Sequence, residues 1–218
     1  MKIKAIIFDL GQVLDAPEDP EEARIRQAKL AEKLGLQPSE LWTYLFEGEP
    51  SQLWMTGKIS EQEFWNAVLG PNGIKDRAEV ETFARMTFAD TGTLNSEMAL
   101  LLEELRGKYK LAVLSNASWR EDELRELLYE TMSIPEGTFD VIVSSNSVGV
   151  PKPGAEIYLY ALEQLGINAE ETIFTDDLAN FTNAAADLGM NVHTFSTPAA
   201  LRAYLVQMDI LSVVGEKE

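Results

Sequence analysis

The chain has no cysteine among its 218 residues, which excludes disulfides, thiolate catalysis and zinc–thiolate centres. Its one histidine, His193, rules out a multi-histidine metal site, and within NVHTF it reads as a structural strand residue. Basic residues are scarce: 18 Lys+Arg stand against 36 Asp+Glu, a net charge of −18. No basic stripe runs along the chain, which argues against nucleic acid as a partner, and the acidity argues against anionic membrane surfaces. A small anionic substrate stays compatible, because exposed charges are screened beyond about 10 Å at moderate salt. Long hydrophobic runs are also missing. No stretch approaches the ~20 apolar residues of a membrane span, and the apolar run in MKIKAIIFDL is too short for a signal core. These absences together lead to the expectation of a soluble cytoplasmic protein with no nucleic-acid or membrane partner.

With 45% hydrophobic and 25% charged residues, the chain has enough apolar surface for one good core and a smaller appendage. Residues 3–8 read as a short buried strand. From residue 16 to 91 the pattern is helical. Asp19-Pro20-Glu21-Glu22 opens a helix expected to stop at Gly35, and Ser39 opens another through Leu41, Leu45 and Phe46. Ser60 with Glu63 forms a capping box before a helix that ends near Gly70-Pro71, and one more helix is expected over 76–88. Most of Trp42, Phe46, Trp54, Phe64 and Trp65 are expected to form the core of this region, with one or two, such as Trp54, facing a cleft.

After Gly92 the pattern alternates. Strands are predicted at 110–114, 139–143, 172–175 and 191–195, and helices at 95–106, 120–130, 154–165, 180–188 and 198–208. Alternation of this kind means a parallel sheet covered on both faces. The expected class is therefore α/β, a Rossmann-like parallel sheet with an inserted helical region. The division is residues 1–15 plus 92–218 for the core and 16–91 for the insertion, with a frayed tail SVVGEKE.

Sites in parallel sheets lie at the carboxyl ends of the strands. The first strand delivers Asp9, the strand at 110–114 delivers Ser115 and Asn116, and the strand at 172–175 delivers Asp176 and Asp177; the loop after 139–143 leads to Lys152 between two prolines. Singly, each has a plainer reading as a turn, cap or surface residue. Jointly they make a kit for phosphate chemistry. Converging carboxylates repel one another unless a hard cation such as Mg²⁺, which takes oxygen ligands at about 2.0–2.1 Å, sits between them. Asp9 can then attack phosphorus to form an aspartyl-phosphate. The Ser115 hydroxyl and the Asn116 backbone N–H suit phosphoryl oxygens, and Lys152 adds a point charge that offsets the transferring group.

Order and spacing in IIFDLGQVLD, LAVLSNAS, VGVPKPGAEIYLYALEQLG and TIFTDDLANFTNAAADLGM resemble the haloacid dehalogenase-like (HAD) hydrolase superfamily. The resemblance implies Mg²⁺-dependent hydrolysis of a small phosphorylated metabolite and makes the helical insertion a cap. It implies Asp9 as nucleophile, Ser115 as phosphate-binding hydroxyl, Lys152 as the motif lysine, and Asp177 as direct metal ligand. Asp176 becomes a second ligand or a base just outside it, and the Gly11 carbonyl a further metal ligand.

Two positions depart from the pattern. Family phosphatases usually carry a second Asp two residues after the nucleophile, where Gly11 stands here, so the usual proton donor is gone. A branch that opens Asp-x-Gly includes sugar-phosphate phosphatases; Asp15 is a candidate substitute acid, with the plainer reading of a loop Asp before the cap. Four residues after Asp177, Phe181 replaces the usual Asp or Asn; either a metal contact is lost or Asn180 supplies it. Two rivals remain: a metal-independent 2-haloacid dehalogenase, and a catalytically degenerate domain that binds a phosphorylated ligand.

Overall fold

Five short parallel strands pair in the order β3-β2-β1-β4-β5. They are β1 (Ala5–Phe8), β2 (Lys110–Ser115), β3 (Val141–Ser144), β4 (Thr172–Asp176) and β5 (Asn191–Thr194). The computed structural model describes residues 2–17, 19–89 and 91–212. The central strand β1 is buried throughout, as its unbroken AIIF run requires. Its side chains alternate between the two faces: Ile6 and Phe8 join Leu111 and Val113 in one core, while Ala5 and Ile7 join Ala112, Leu114 and Phe174 in the other.

The insertion carries α1 (Pro20–Leu34), α2 (Leu41–Phe46), α3 (Glu49–Met55), α4 (Glu61–Leu69) and α5 (Arg77–Thr87). The Asp19 and Ser60 side chains cap α1 and α4 as the sequence predicts, and Gly35 ends α1 in the left-handed conformation. These helices enclose a third core of their own, with Phe64, Trp65 and Phe83 at its centre. Back in the sheet domain follow α6 (Ser96–Leu105), α7 (Glu121–Glu126), α8 (Ser145–Val148), α9 (Ala155–Leu165), α10 (Ala179–Asp187) and α11 (Pro198–Gln207). The result is a Rossmann-like α/β core with an inserted α-helical cap.

The structure departs from the sequence reading in details. Residues 38–40 form a 3₁₀ turn, and a separate helix, α3, follows a break at Gly48. The helix expected over 120–130 is regular only to Glu126, after which Met132 N–H bonds five residues back to Leu127. Apart from Ser212, the tail lies outside the described residues. No helix among the described residues is long and apolar enough to cross a membrane.

Candidate active site

The carboxyl rim of the sheet brings together side chains far apart in sequence. The ladder runs on past the strands, with Asp9 N–H bonded to Thr175 O (2.9 Å) and Phe195 N–H to Asp176 O (2.8 Å). These bonds fix both acids at one level. Lys152 reaches between them: its Nζ donates to Asp9 Oδ1 at 2.7 Å and to Asp176 Oδ2 at 2.6 Å. Asp9, Asp176 and Lys152 are 7%, 0% and 3% exposed. Asp177 completes the cluster, since each of the three acids offers an oxygen within 4.8 Å of the others.

One ammonium offsets one of three carboxylates, so this buried group carries a residual charge of about −2 when ionised. Burial raises the pKa of Asp9 well above the ordinary carboxylate range; Lys152 opposes this, while Asp176 and Asp177 add to it. Asp177 is pushed up to about 6, by burial first and then by Asp176. Burial alone would lower the Lys152 pKa, but the Asp176 and Asp9 charges outweigh it and hold the ammonium firmly protonated. Lys152 engages neither Asp9 Oδ2 nor Asp177, so the oxygens facing away from it are the natural donors for a divalent cation. Asp176 is occupied on both sides, its Oδ1 accepting from Leu178 N–H at 2.9 Å. Both Asp176 oxygens thus already accept hydrogen bonds from the protein.

Ser115 ends β2, the strand next to β1, and is 5% exposed. The Asn116 side chain has a task that the sequence did not suggest. Its Oδ1 accepts from Lys152 N–H (2.7 Å) and its Nδ2 donates to Lys152 O (3.0 Å), clamping the lysine backbone at two points. Phe181, the second departure from the family pattern, lies with its ring 5.0 Å from Lys152 Nζ, and Phe174 lies at 5.7 Å. Phe181 therefore covers the ammonium and supplies no oxygen, while Asn180 is exposed at the start of α10.

Beyond Asp9 the chain makes a wide turn. Gln12 adopts φ 60°, a left-handed conformation costly for a non-glycine residue. Asp15 offsets the cost by accepting from Gln12 N–H at 2.6 Å. This buried carboxylate thus shapes the turn. A crevice of about 390 Å³ opens beside Asp177, bounded by Gln12 and Phe195 of the core and by Arg24 and Gln27 of α1. The half-buried aromatics of the insertion do not line it: Trp42 stacks on Phe46 within α2, and Phe46 and Trp54 stack on Phe64 of α4. His193 bonds Thr175 Oγ1 through Nδ1 at 3.2 Å, in keeping with a structural role.

A parallel sheet with this rim and an inserted helical cap defines an α/β enzyme of the hydrolase type. A model of the haloacid dehalogenase-like hydrolase family matches residues 3–189, and the chain belongs to that family. Among curated relatives, sesquiterpene phosphatase astK of Aspergillus oryzae is 30% identical over 86% of this chain and 87% of its own length. Drimenol cyclase drtB of Aspergillus calidoustus is 26% identical over 86% of this chain, which spans only 33% of that protein. Among solved structures, a HAD-like family hydrolase from Porphyromonas gingivalis has a TM-score of 0.63 at 24% identity, covering 94% of this chain and 98% of that one. A HAD family enzyme from Bacteroides thetaiotaomicron, in complex with magnesium and inorganic phosphate, has a TM-score of 0.60 at 22% identity, covering 89% and 94%. A dehalogenase has a TM-score of 0.59 at 22% identity, covering 87% and 83%. At these identities the solved structures speak to the fold.

Proposed function

We propose that the chain is a Mg²⁺-dependent phosphomonoesterase that hydrolyses a small phosphorylated metabolite through an aspartyl-phosphate on Asp9. The carrying observation is the charge balance at the rim: three clustered carboxylates, one lysine, and a deficit that a divalent cation would close. Asp9 Oδ2, Asp177 and the Gly11 carbonyl would hold Mg²⁺, which supplies positive charge against the phosphoryl oxygens when bound.

With Oδ2 kept for the cation, the oxygen that Lys152 orients, Asp9 Oδ1, attacks phosphorus while the ester P–O bond breaks and the alcohol departs. No side chain stands at position 11 to protonate that alcohol, so solvent does so. Water then attacks the same phosphorus, breaks its bond to Asp9, and releases phosphate with the carboxylate restored. Ser115 and the Asn116 backbone orient the phosphoryl oxygens, and Lys152 offsets their charge. The Asn116 side chain keeps Lys152 in register. In this reading residues 1–15 plus 92–218 form the catalytic unit, and residues 16–91 close over it to hold the substrate in place. The crevice beside Asp177 receives the leaving group. The phosphatase named among the relatives, the Mg²⁺–phosphate complex among the structural neighbours and the acidic pair at 176–177 support this reading over dehalogenation.

The test is a panel of aryl, sugar and sesquiterpenyl monophosphates assayed with Mg²⁺ and with EDTA, beside Asp9→Asn. Turnover that needs Mg²⁺ and drops by at least about 10⁴-fold in Asp9→Asn is expected. Halide release from a 2-haloacid in EDTA, or wild-type rates in Asp9→Asn, would overturn the assignment. Mg²⁺ binding without aryl phosphate turnover would favour a binding domain.

A further inference from the structure

The opposite end of the same strands carries a second unusual concentration of charge. A cavity of about 790 Å³ at the amino edge of β1 and β2 is lined by Lys2, Lys4, Arg106, Lys108 and Lys110, with Asp140 as its acidic wall. Five of the chain's 18 cations thus gather at one place in a molecule of net charge −18. Lys4 and Lys110 flank the starts of the strands whose far ends carry Asp9 and Ser115. Lys4 stands five positions before Asp9, about 17 Å at the usual strand rise.

Part of this clustering has a structural cause. Arg106 and Lys108 follow the carboxyl end of α6, and Lys110 Nζ donates to Leu165 O at 2.7 Å at the end of α9, where cations offset the helix dipole. Arg106 also donates to Glu136 O at 3.0 Å, and Lys4 pairs with Glu171 at 2.5 Å. Glu104, near Lys108, is itself held by Arg202. Lys2 and Lys108 make no ion pair or side-chain hydrogen bond among the described residues, and dipole compensation gives no reason for the two lysines of β1's approach. With Asp140 and Glu171 counted against the five cations, a local excess of three positive charges remains.

We propose that this cavity is a binding site for small anions with two or three linked phosphate groups, separate from the site at the carboxyl rim. Arg106 offers a planar fork for one phosphate, and the lysines offer point charges for its neighbours. A single phosphate would engage too few of them to compete with water.

The test titrates the ¹⁵N-labelled full chain, in EDTA, with orthophosphate, pyrophosphate and inorganic triphosphate while amide shifts are followed. Saturable shifts at Gly107 and Gly137 are expected, with affinity rising about tenfold or more from orthophosphate to triphosphate and falling with added salt. The double variant Lys2→Ala/Lys108→Ala, both exposed positions, is expected to weaken triphosphate by about tenfold without changing the thermal midpoint. Shifts confined to Gly11 and Ser115, equal affinity for all three anions, non-saturating shifts, or an unchanged double variant would each overturn the proposal.

Discussion

In the proposed reaction, position 11 is the residue that would govern which leaving groups the rim can handle. Gly11 has φ −64° and ψ 127°, a conformation open to any L-residue, and a Cβ built there would come no closer than 3.9 Å to Asp9 Oδ2. There is room for a side chain beside Asp9, and none is present. Asp15 does not fill the role, because it is buried and bonded to the Gln12 amide. Aryl phosphates need little protonation of the leaving oxygen and alkyl phosphates need much. Gly11→Asp is therefore expected to raise kcat/KM for an alkyl phosphate by about 10²-fold, the lower end of what a positioned general acid contributes, and to leave an aryl phosphate nearly unchanged. The alkyl-to-aryl ratio, measured with saturating Mg²⁺, reads this directly. A ratio equal to that of the parent would mean that the proton already comes from elsewhere in the chain.

The insertion joins the core where two chain crossings meet, and Asn95 ties them. Its Oδ1 caps α6 by accepting from Glu97 and Met98 N–H at 3.0 and 3.2 Å, and its Nδ2 donates to Ala16 O at 3.0 Å. Its own N–H bonds Leu14 O at 3.0 Å. Asn95→Ala removes both side-chain functions and leaves a buried carbonyl unpaired, for an expected loss of about 2 kcal/mol in urea unfolding. Asn95→Ser keeps a capping oxygen and loses the reach to Ala16, so about half that loss is expected; equal losses would show that the tie to Ala16 contributes nothing. Such capping signals were legible in advance, as were the five strands, because each rests on a local pattern: Asp19 before Pro20, Ser60 with Glu63, apolar runs that end at Asp9 or Ser115. The acids at 9, 176 and 177 were legible as a group because strand ends of a parallel sheet share one rim. What stayed hidden depends on distant partners. Nothing local to Asn116 announces that its amide grips Lys152, 36 residues on, and nothing local to Phe181 announces the ammonium it covers. The basic cavity draws on residues 2–4 and 106–110, which form no stripe in sequence and meet only because β1 pairs with β2.

The sheet thus separates charge along its strands, cations at one end and clustered carboxylates at the other, and in the proposed reading the acidic end couples stability to pH and metal together. Without a cation, Asp177 titrates near 6 in the folded protein, above the ordinary value of 3.8, and Asp9 is raised in the same sense. A carboxyl group with a raised folded pKa contributes stability that is fully present below its unfolded pKa and is lost as pH rises through the folded one. In EDTA, these groups therefore weaken the fold as pH climbs from about 4 through about 6. His193, lowered by burial, acts in the opposite sense: its stability is present above the unfolded value and is lost as pH falls. The difference between Mg²⁺ and EDTA at each pH cancels the histidine and isolates the carboxylates. If the rim holds Mg²⁺ as proposed, the cation takes their ionised forms, so the rise in Tm on adding it is expected to be large at pH 8 and to shrink as pH falls through about 6, where protons compete. Asp177→Asn is expected to lose most of that rise at pH 8 while unfolding cooperatively in EDTA. A Mg²⁺-induced shift of the same size at pH 5 and pH 8, or one that survives in Asp177→Asn, would place the cation away from these carboxylates and remove the basis for reading the rim as a phosphoryl-transfer centre.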